Sequence, residues 1–273
     1  MAQPANKSPA MSAQIHPTAI IEGSVTLGAD VIIGPYCIVH GEVNLSDRVE
    51  LKSHVIVEGH THIGEGTVVY PFAVLGAPTP DRKYQGEASK LIIGKNNVIR
   101  EYVTMHPGTA GGRMKTVIGD NNLILERVHI AHDCLLGNNV TLVNSVGLSG
   151  HVTLEDNVII GGMSGITQFV RIGTGAFIGA HCKVEKDVIP YAIVRGEDGY
   201  LNGINIIGLK RRNIDDQQTK DLVAAYNYVF GTEGTLKDRL EEIAVKYAGN
   251  PLTAQLVDFI NSREKGGLTQ PKS

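Results

Sequence analysis

A chain of 273 residues has room for one large domain or two small ones, and a net charge of −3 excludes bulk attraction to nucleic acid. Thirty-two glycines, 5% aromatic residues and no tryptophan supply too little aromatic volume for a compact α/β core, but enough for a thin prism of stacked turns. No run approaches about 18 apolar residues, which excludes an expected helical membrane span.

Residues 1–13 hold Pro, Ala, Ser and Asn without an apolar stretch. They read as a disordered N-terminal extension rather than a secretory signal, with Met11 as an alternative start. From Ile15, through Ile21, Leu27 and Ile33 to Leu75, every sixth residue is aliphatic. Residues 76–90 then form a polar excursion containing Pro78 and Pro80. The pattern resumes in frame at Ile93, Ile99 and Met105. A second excursion, residues 107–116, is rich in Gly and basic side chains and shifts the frame by one. From Ile118 to Val184 the rule holds at twelve positions without a miss. At this hydrophobic content such a run arises by chance about 1 time in 30,000 per register. The position four residues later is mostly small or β-branched, as in Val128, Val140, Val146 and Val152.

A six-residue period fits neither a helix nor a simple hairpin. It fits a parallel β-helix in which each hexad is one short strand plus a turn, and three hexads close a triangular coil. Residues 18 apart then stack at about the inter-strand spacing of 4.8 Å, and each coil covers its neighbour's edge. The β-helix is expected over residues 14–196. A small all-α C-terminal domain is expected over residues 197–273, with helical spacing around Leu222 to Phe230, Leu236 to Tyr247 and Leu252 to Ile260. Asn250-Pro251 reads as an N-cap with Pro in the first turn, and the end from Arg263 reads as polar and frayed. Cys37, Cys134 and Cys182 read as small core residues, and reduced thiols suit a cytoplasmic protein.

A filled β-helix has no internal pocket, so chemistry must sit on outward side chains, against loops or between subunits. The coil spacing puts His132, Asp133, Gly150, His151, Thr167 and Gln168 on one vertical strip, with His129 at its base and His106 opening the nearby loop. One reading is general-base catalysis, with a histidine taking a hydroxyl proton and Asp133 orienting it. The other is a zinc site of the kind used by hexapeptide-repeat carbonic anhydrases. Isolated histidines such as His16, His40, His54 and His62 read as solvated surface.

The run HIAHD (129–133), Leu148-Ser-Gly-His151, Ile160-Gly-Gly-Met-Ser164, Gly203-Ile-Asn205 and Gly208-Leu-Lys-Arg-Arg212, together with Asp81-Arg-Lys-Tyr-Gln-Gly-Glu87, resembles the UDP-N-acetylglucosamine 3-O-acyltransferase family, which opens lipid A biosynthesis. The resemblance covers about residues 13–263. It implies an all-β left-handed parallel β-helix, left-handed although parallel crossovers are usually right-handed. It implies a cytoplasmic homotrimer with active sites between neighbouring β-helices. The reaction it implies moves an (R)-3-hydroxyacyl group from acyl carrier protein to the 3-hydroxyl of the sugar nucleotide, by direct attack without an acyl-enzyme. In that family's terms His132 is the general base, Asp133 orients it and the Gly150 N–H stabilises the oxyanion. Asp81, Lys83, His106, His129, His151, Gln168, Asn205, Arg211 and Arg212 match positions that bind the sugar nucleotide or acyl chain. Lys83, Arg211 and Arg212 also suit a diphosphate on physical grounds, and nearby basic residues suit an acidic carrier protein. No cofactor and no metal is implied, since the phosphopantetheine belongs to the carrier substrate.

Several residues depart from the family pattern: Thr167, Ile207, Pro80 and Gly196-Glu197-Asp198. They leave the acceptor open between the N-acetyl sugar and its 3-amino analogue. Ala180, beside His181, stands where acceptors of long chains carry Gly, which predicts a chain no longer than about fourteen carbons, nearer ten to twelve if Ala180 faces it.

Overall fold

The computed structural model describes residues 13–263 and 266–272. The expected N-terminal extension therefore lies, except for Ala13, outside the described residues. Among the described residues the chain winds into a parallel β-helix of about ten turns, followed by four helices. Regular coils pair residues 18 apart, as in Thr141 with Ile159 and Leu142 with Ile160. The two excursions lengthen single coils without breaking the walls. Ile63 pairs with Ile93 across the first, and Met105 with Ile130 across the second.

The sixth-residue aliphatics point inward and stack into one core that runs from Val31 to Val194 and on into the helices. The three cysteines are buried and free, and burial pushes the Cys134 thiol up to about 12, so it packs rather than reacts. Two coils replace the small inward residue by asparagine. Asn97 Nδ2 donates to Gly119 O, Asn122 N–H donates to Asn97 Oδ1, and Val140 N–H donates to Asn122 Oδ1, so the two side chains bond main-chain groups up the stack, while Asn122 Nδ2 has no partner among the described residues.

Each corner of the prism is a tight turn that places one residue at positive φ. One corner carries Asn121, Asn139, Asn157 and Gly175; a second carries Tyr36, His54, Phe72, Tyr102, Arg127, Ser145, Met163 and His181; the third carries Asp133, His151 and Phe169. The early coils lack the third corner. There the strands Ile20–Leu27, Ile38–Leu45 and Ile56–Ile63 run straight through it. Gly23, Gly41 and Gly59 make the bend, and a Cβ on Gly23 would lie 2.6 Å from the Gly41 carbonyl oxygen in the coil above. The third corner thus exists only beside and above the excursions.

The strand Ala192–Arg195 turns back antiparallel as Tyr200–Ile204 and closes the sheet edge. Four helices follow: α1 Ile206–Arg211, α2 Asp216–Val229, α3 Leu236–Lys246 and α4 Pro251–Asn261. Asn250 caps α4 through its side chain, with Pro in the first turn as its sequence predicts. The end of the chain corrects the expectation of a frayed terminus. Leu268 and Thr269 are buried, Thr269 N–H donates to Asp187 O, and Pro271 bridges Leu201. One apolar residue and a strand-like backbone suffice to dock a segment that otherwise looks polar. No helix among the described residues is long and apolar enough to cross a membrane.

Candidate active site

The turn 131–134 places His132 and Asp133 at the third corner, with Asp133 at φ 60°. His132 Nδ1 lies 2.9 Å from Asp133 Oδ2. A carboxylate only accepts, so Nδ1 carries the proton, and Nε2 is the basic nitrogen of the neutral ring. Nε2 points to the side where Asp81, from the first excursion, brings Oδ2 to 3.7 Å. His132 keeps 17% of its side chain exposed while Asp133 keeps none, so the base can meet a substrate and its partner cannot.

Asp133 is held by the second excursion. Its carboxylate accepts from Thr109 N at 3.1 Å, Thr109 Oγ1 at 2.7 Å and Arg113 N at 2.6 Å, besides His132. Burial by itself raises this carboxyl; the hydrogen bonds from Thr109, His132 and Arg113 outweigh it and hold the group below its ordinary value. Neither Thr109 nor Arg113 carries a sequence signal for this task, because excursion residues have no period to align them.

One coil above, Gly150 lies against the ring of the base. A Cβ there would sit 2.6 Å from His132 Cε1 and 2.7 Å from Nε2, so only glycine leaves the ring its place. Gly150 is buried, and its N–H makes no hydrogen bond among the described residues, which leaves a donor beside Nε2. His151 meets the His132 ring edge-on at 5.1 Å and stacks on Phe169 at 4.4 Å. Burial lowers the pKa of His151. His129 shares a 2.8 Å hydrogen bond with Thr104 and lies 5.4 Å from the His106 ring, whose Nδ1–H donates to Ala77 O. Burial and then the nearby His106 lower the pKa of His129, so it stays neutral to lower pH than a free imidazole.

His132, Asp133 and His151 also bring one donor atom each within 4.8 Å of one another, a spacing open to a metal ion. The Asp133 oxygens, however, already accept from Thr109, Arg113 and His132, which fits an orienting carboxylate better than a ligand.

The remaining predicted residues divide by place. Lys83 follows Asp81 in the first excursion, its N–H donating to the Asp81 carboxylate, and Gln168 is exposed on the third corner beside Phe169. Beside the strip, on the wall that precedes it, a groove of about 350 Å³ runs over His129, Gly147, Ser149, Gly165, Thr167 and Lys183. Gly147 and Gly165 have open space where a Cβ would stand, which makes the groove. Ala180 and His181 lie exposed at the second corner, beyond the far edge of that wall. Asn205, Arg211 and Arg212 are not brought to the strip. Asn205 caps α1 and donates to Gly175 O at the first corner, where the Arg212 guanidinium lies 5.5 Å over the Tyr191 ring. A whole wall separates them from His132 within one chain.

Residues 187–268 match the family model described as UDP N-acetylglucosamine O-acyltransferase, domain 2, and residues 115–150 match the bacterial transferase hexapeptide model. The acyl-[acyl-carrier-protein]–UDP-N-acetylglucosamine O-acyltransferase of Rhizobium johnstonii is 42% identical over 262 residues, 96% of each chain. That of Paracoccus denitrificans is 46% identical over 196 residues, 71% of this chain and 73% of its own. The crystal structure of the UDP-N-acetylglucosamine O-acyltransferase from Moraxella catarrhalis superposes with a TM-score of 0.90 at 40% identity, over 94% of this chain and 99% of its own.

Proposed function

Because the chain belongs to the acyl-[acyl-carrier-protein]–UDP-N-acetylglucosamine O-acyltransferase family, we propose that it transfers an (R)-3-hydroxyacyl group from acyl carrier protein to the 3-hydroxyl of UDP-N-acetylglucosamine, in the cytoplasm, as the first step of lipid A biosynthesis. The chain is an acyltransferase. The observation that carries it is the His132–Asp133 pair, with Nδ1 committed to the carboxylate and Nε2 free of hydrogen bonds among the described residues, beside Gly150 and 3.7 Å from Asp81 Oδ2.

In this reading the sugar hydroxyl gives its proton to His132 Nε2 as its oxygen attacks the thioester carbonyl. The charge on the carbonyl oxygen falls to the Gly150 N–H, a type of contact worth about 3 kcal/mol. Collapse expels the phosphopantetheine thiolate, which recovers the proton from His132. No acyl-enzyme forms and no cofactor is consumed. Asp133 orients the base throughout. Asp81, Lys83, His106, His129, His151 and Gln168 surround the sugar and diphosphate, and the glycine groove takes the acyl chain toward Ala180 and His181. A zinc enzyme of the carbonic anhydrase type has weaker support, since it would have to displace the hydrogen bonds that Asp133 already accepts.

The site is assigned to a homotrimer. Asn205, Arg211 and Arg212 lie a wall away from His132 and can join it only from a neighbouring chain. The second corner offers the contact: Tyr36, His54, Phe72 and Tyr102 stack at 5.0 to 5.1 Å in an exposed ladder, flanked by exposed Ile20, Ile32, Ile38, Leu123 and Met163. So much contiguous apolar surface marks an interface. Light scattering is expected to give three copies at micromolar concentration. A monomer would remove the site as described.

The defining experiment offers a panel of 3-hydroxyacyl-carrier proteins to UDP-N-acetylglucosamine. Transfer is expected with a preference at or below about fourteen carbons, because the Ala180 methyl narrows the end of the groove. A sixteen-carbon preference would refute the role of Ala180. Transfer only to the 3-amino sugar nucleotide would move the acceptor, which the Thr167, Ile207 and Pro80 departures leave within reach. Failure with both sugars would overturn the reading.

A further inference from the structure

Resting on His132 as the base, we propose that the excursion of residues 107–116 is part of the catalytic apparatus: Thr109 and Arg113 are positioning residues that hold Asp133, and through it His132, in the reactive tautomer and orientation. The loop grips Asp133 at both ends. Thr109 Oγ1 and N–H donate to the carboxylate at 2.7 and 3.1 Å, and the Arg113 N–H donates to its other oxygen at 2.6 Å. The Arg113 guanidinium then donates to the Asp133 main-chain carbonyl at 2.6 Å. Gly112 presses on the same carboxylate; a Cβ there would lie 2.3 Å from Cγ and 2.4 Å from Oδ2.

A carboxylate held by His132 alone would be free to rotate about its last torsion, and the ring would turn with it. Three donors arriving from the loop select one orientation. The left-handed backbone at Asp133 fixes where the carboxylate starts, and the loop fixes where it ends. The loop is itself anchored, because Ala110 N–H donates to Glu87 Oε1 at 2.7 Å in the first excursion. That excursion also carries Asp81, 3.7 Å from His132 Nε2. The two excursions, tied to each other, therefore address the two ring nitrogens of one histidine. This explains why both break the hexad pattern at the coil wall that leads into HIAHD.

The bland alternative is that Asp133 merely staples the loop. The two roles differ in what they do to kcat. The charged and titratable groups around Asp133 are His132, His151 at 3.9 Å, Arg113 and Glu87, with Asp81 facing the two histidines. Removing the Thr109 hydroxyl withdraws a hydrogen bond that favours the ionised carboxyl, so Asp133 takes up its proton at higher pH than before. The acidic limb of the pH–rate profile therefore moves upward, and kcat falls because the carboxylate no longer holds the base in one orientation. A staple that did not position the base would leave kcat in place.

The test compares wild type, Thr109→Val, Thr109→Ser and His132→Ala in acyl transfer to UDP-N-acetylglucosamine across pH. Thr109→Val keeps the shape and removes the hydroxyl. Its kcat is expected to fall about tenfold with the sugar-nucleotide KM within about twofold of wild type, as for supporting-shell losses elsewhere. Its acidic limb is expected to move to higher pH, and Thr109→Ser to restore both. A valine variant with wild-type kcat and limb, a loss confined to KM, or a loss that serine does not repair would each overturn the proposal. Should the valine variant fail to fold, Arg113→Met, which removes the guanidinium contact and keeps the main-chain donor, carries the same readout. Activity surviving in His132→Ala would instead sink the assignment of the base, so the two failures are told apart.

Discussion

Acyl transfer by the His132→Ala enzyme is expected to fall by about 10²–10⁴-fold in kcat, or roughly 3–5 kcal/mol of barrier. The loss is the proton acceptor itself. The sugar hydroxyl would have to shed its proton to water while its oxygen attacks, and the expelled thiolate would find no donor waiting. Binding of the UDP-sugar should change far less, because the base is one of several groups around it. The fold should hold as well, since His132 lies on the outer surface of the turn while the wall behind it is carried by Ile130 and Cys134, both buried. A combined His132→Ala and Asp133→Asn enzyme is expected to be scarcely worse than His132→Ala, because an orienting partner without a base has nothing to orient. Single-turnover rates and a thermal melt on the same preparations decide the matter. A folded His132→Ala enzyme within tenfold of wild type would place the base elsewhere.

Gly150→Ala is expected to cost about 10²-fold, close to the loss from moving a reacting group by an ångström. The added methyl would stand 2.6 to 2.7 Å from the His132 ring, inside any tolerated contact. The ring is the softer of the two neighbours and must swing away, which strains its bond to Asp133. The Gly150 N–H survives the substitution, so the result reports on the place of the base rather than on the oxyanion donor. Gly150 needs no positive φ, and alanine can adopt its backbone. A melt close to wild type with activity down by two orders is the expected pair of results. Activity within threefold would mean that the ring has room this geometry denies.

Much of the molecule was readable from a repeat. A hexad position states which way its side chain points, and 18 residues later the statement is made again, so Ile118 to Val184 could be placed inward and His132 outward without any coordinates. The strip His132–Asp133–Gly150–His151 follows from the same arithmetic, and the fold brings these four residues into contact. The resemblance to a family supplied roles for these side chains, which spacing alone leaves divided between a base and a metal site. Where the period lapses, so does the reading. Thr109 and Arg113 carry no periodic signal, and the polar composition beyond Arg263 suggests fraying although Leu268 and Thr269 are buried. Asn205 and Arg212 lie at another corner of the prism from His132, a separation within one chain that hexad spacing does not reveal because they follow the last repeat.

Periodicity is enough to specify the β-helix, its core rows and the outward strip, because each depends on a local rule repeated until chance is excluded. Which imidazole nitrogen bonds Asp133, which loop holds that carboxylate and which candidates share a corner emerge only on folding. Those depend on contacts between segments that no period relates, where a single hydrogen bond or a missing methyl selects one arrangement among many of similar local energy.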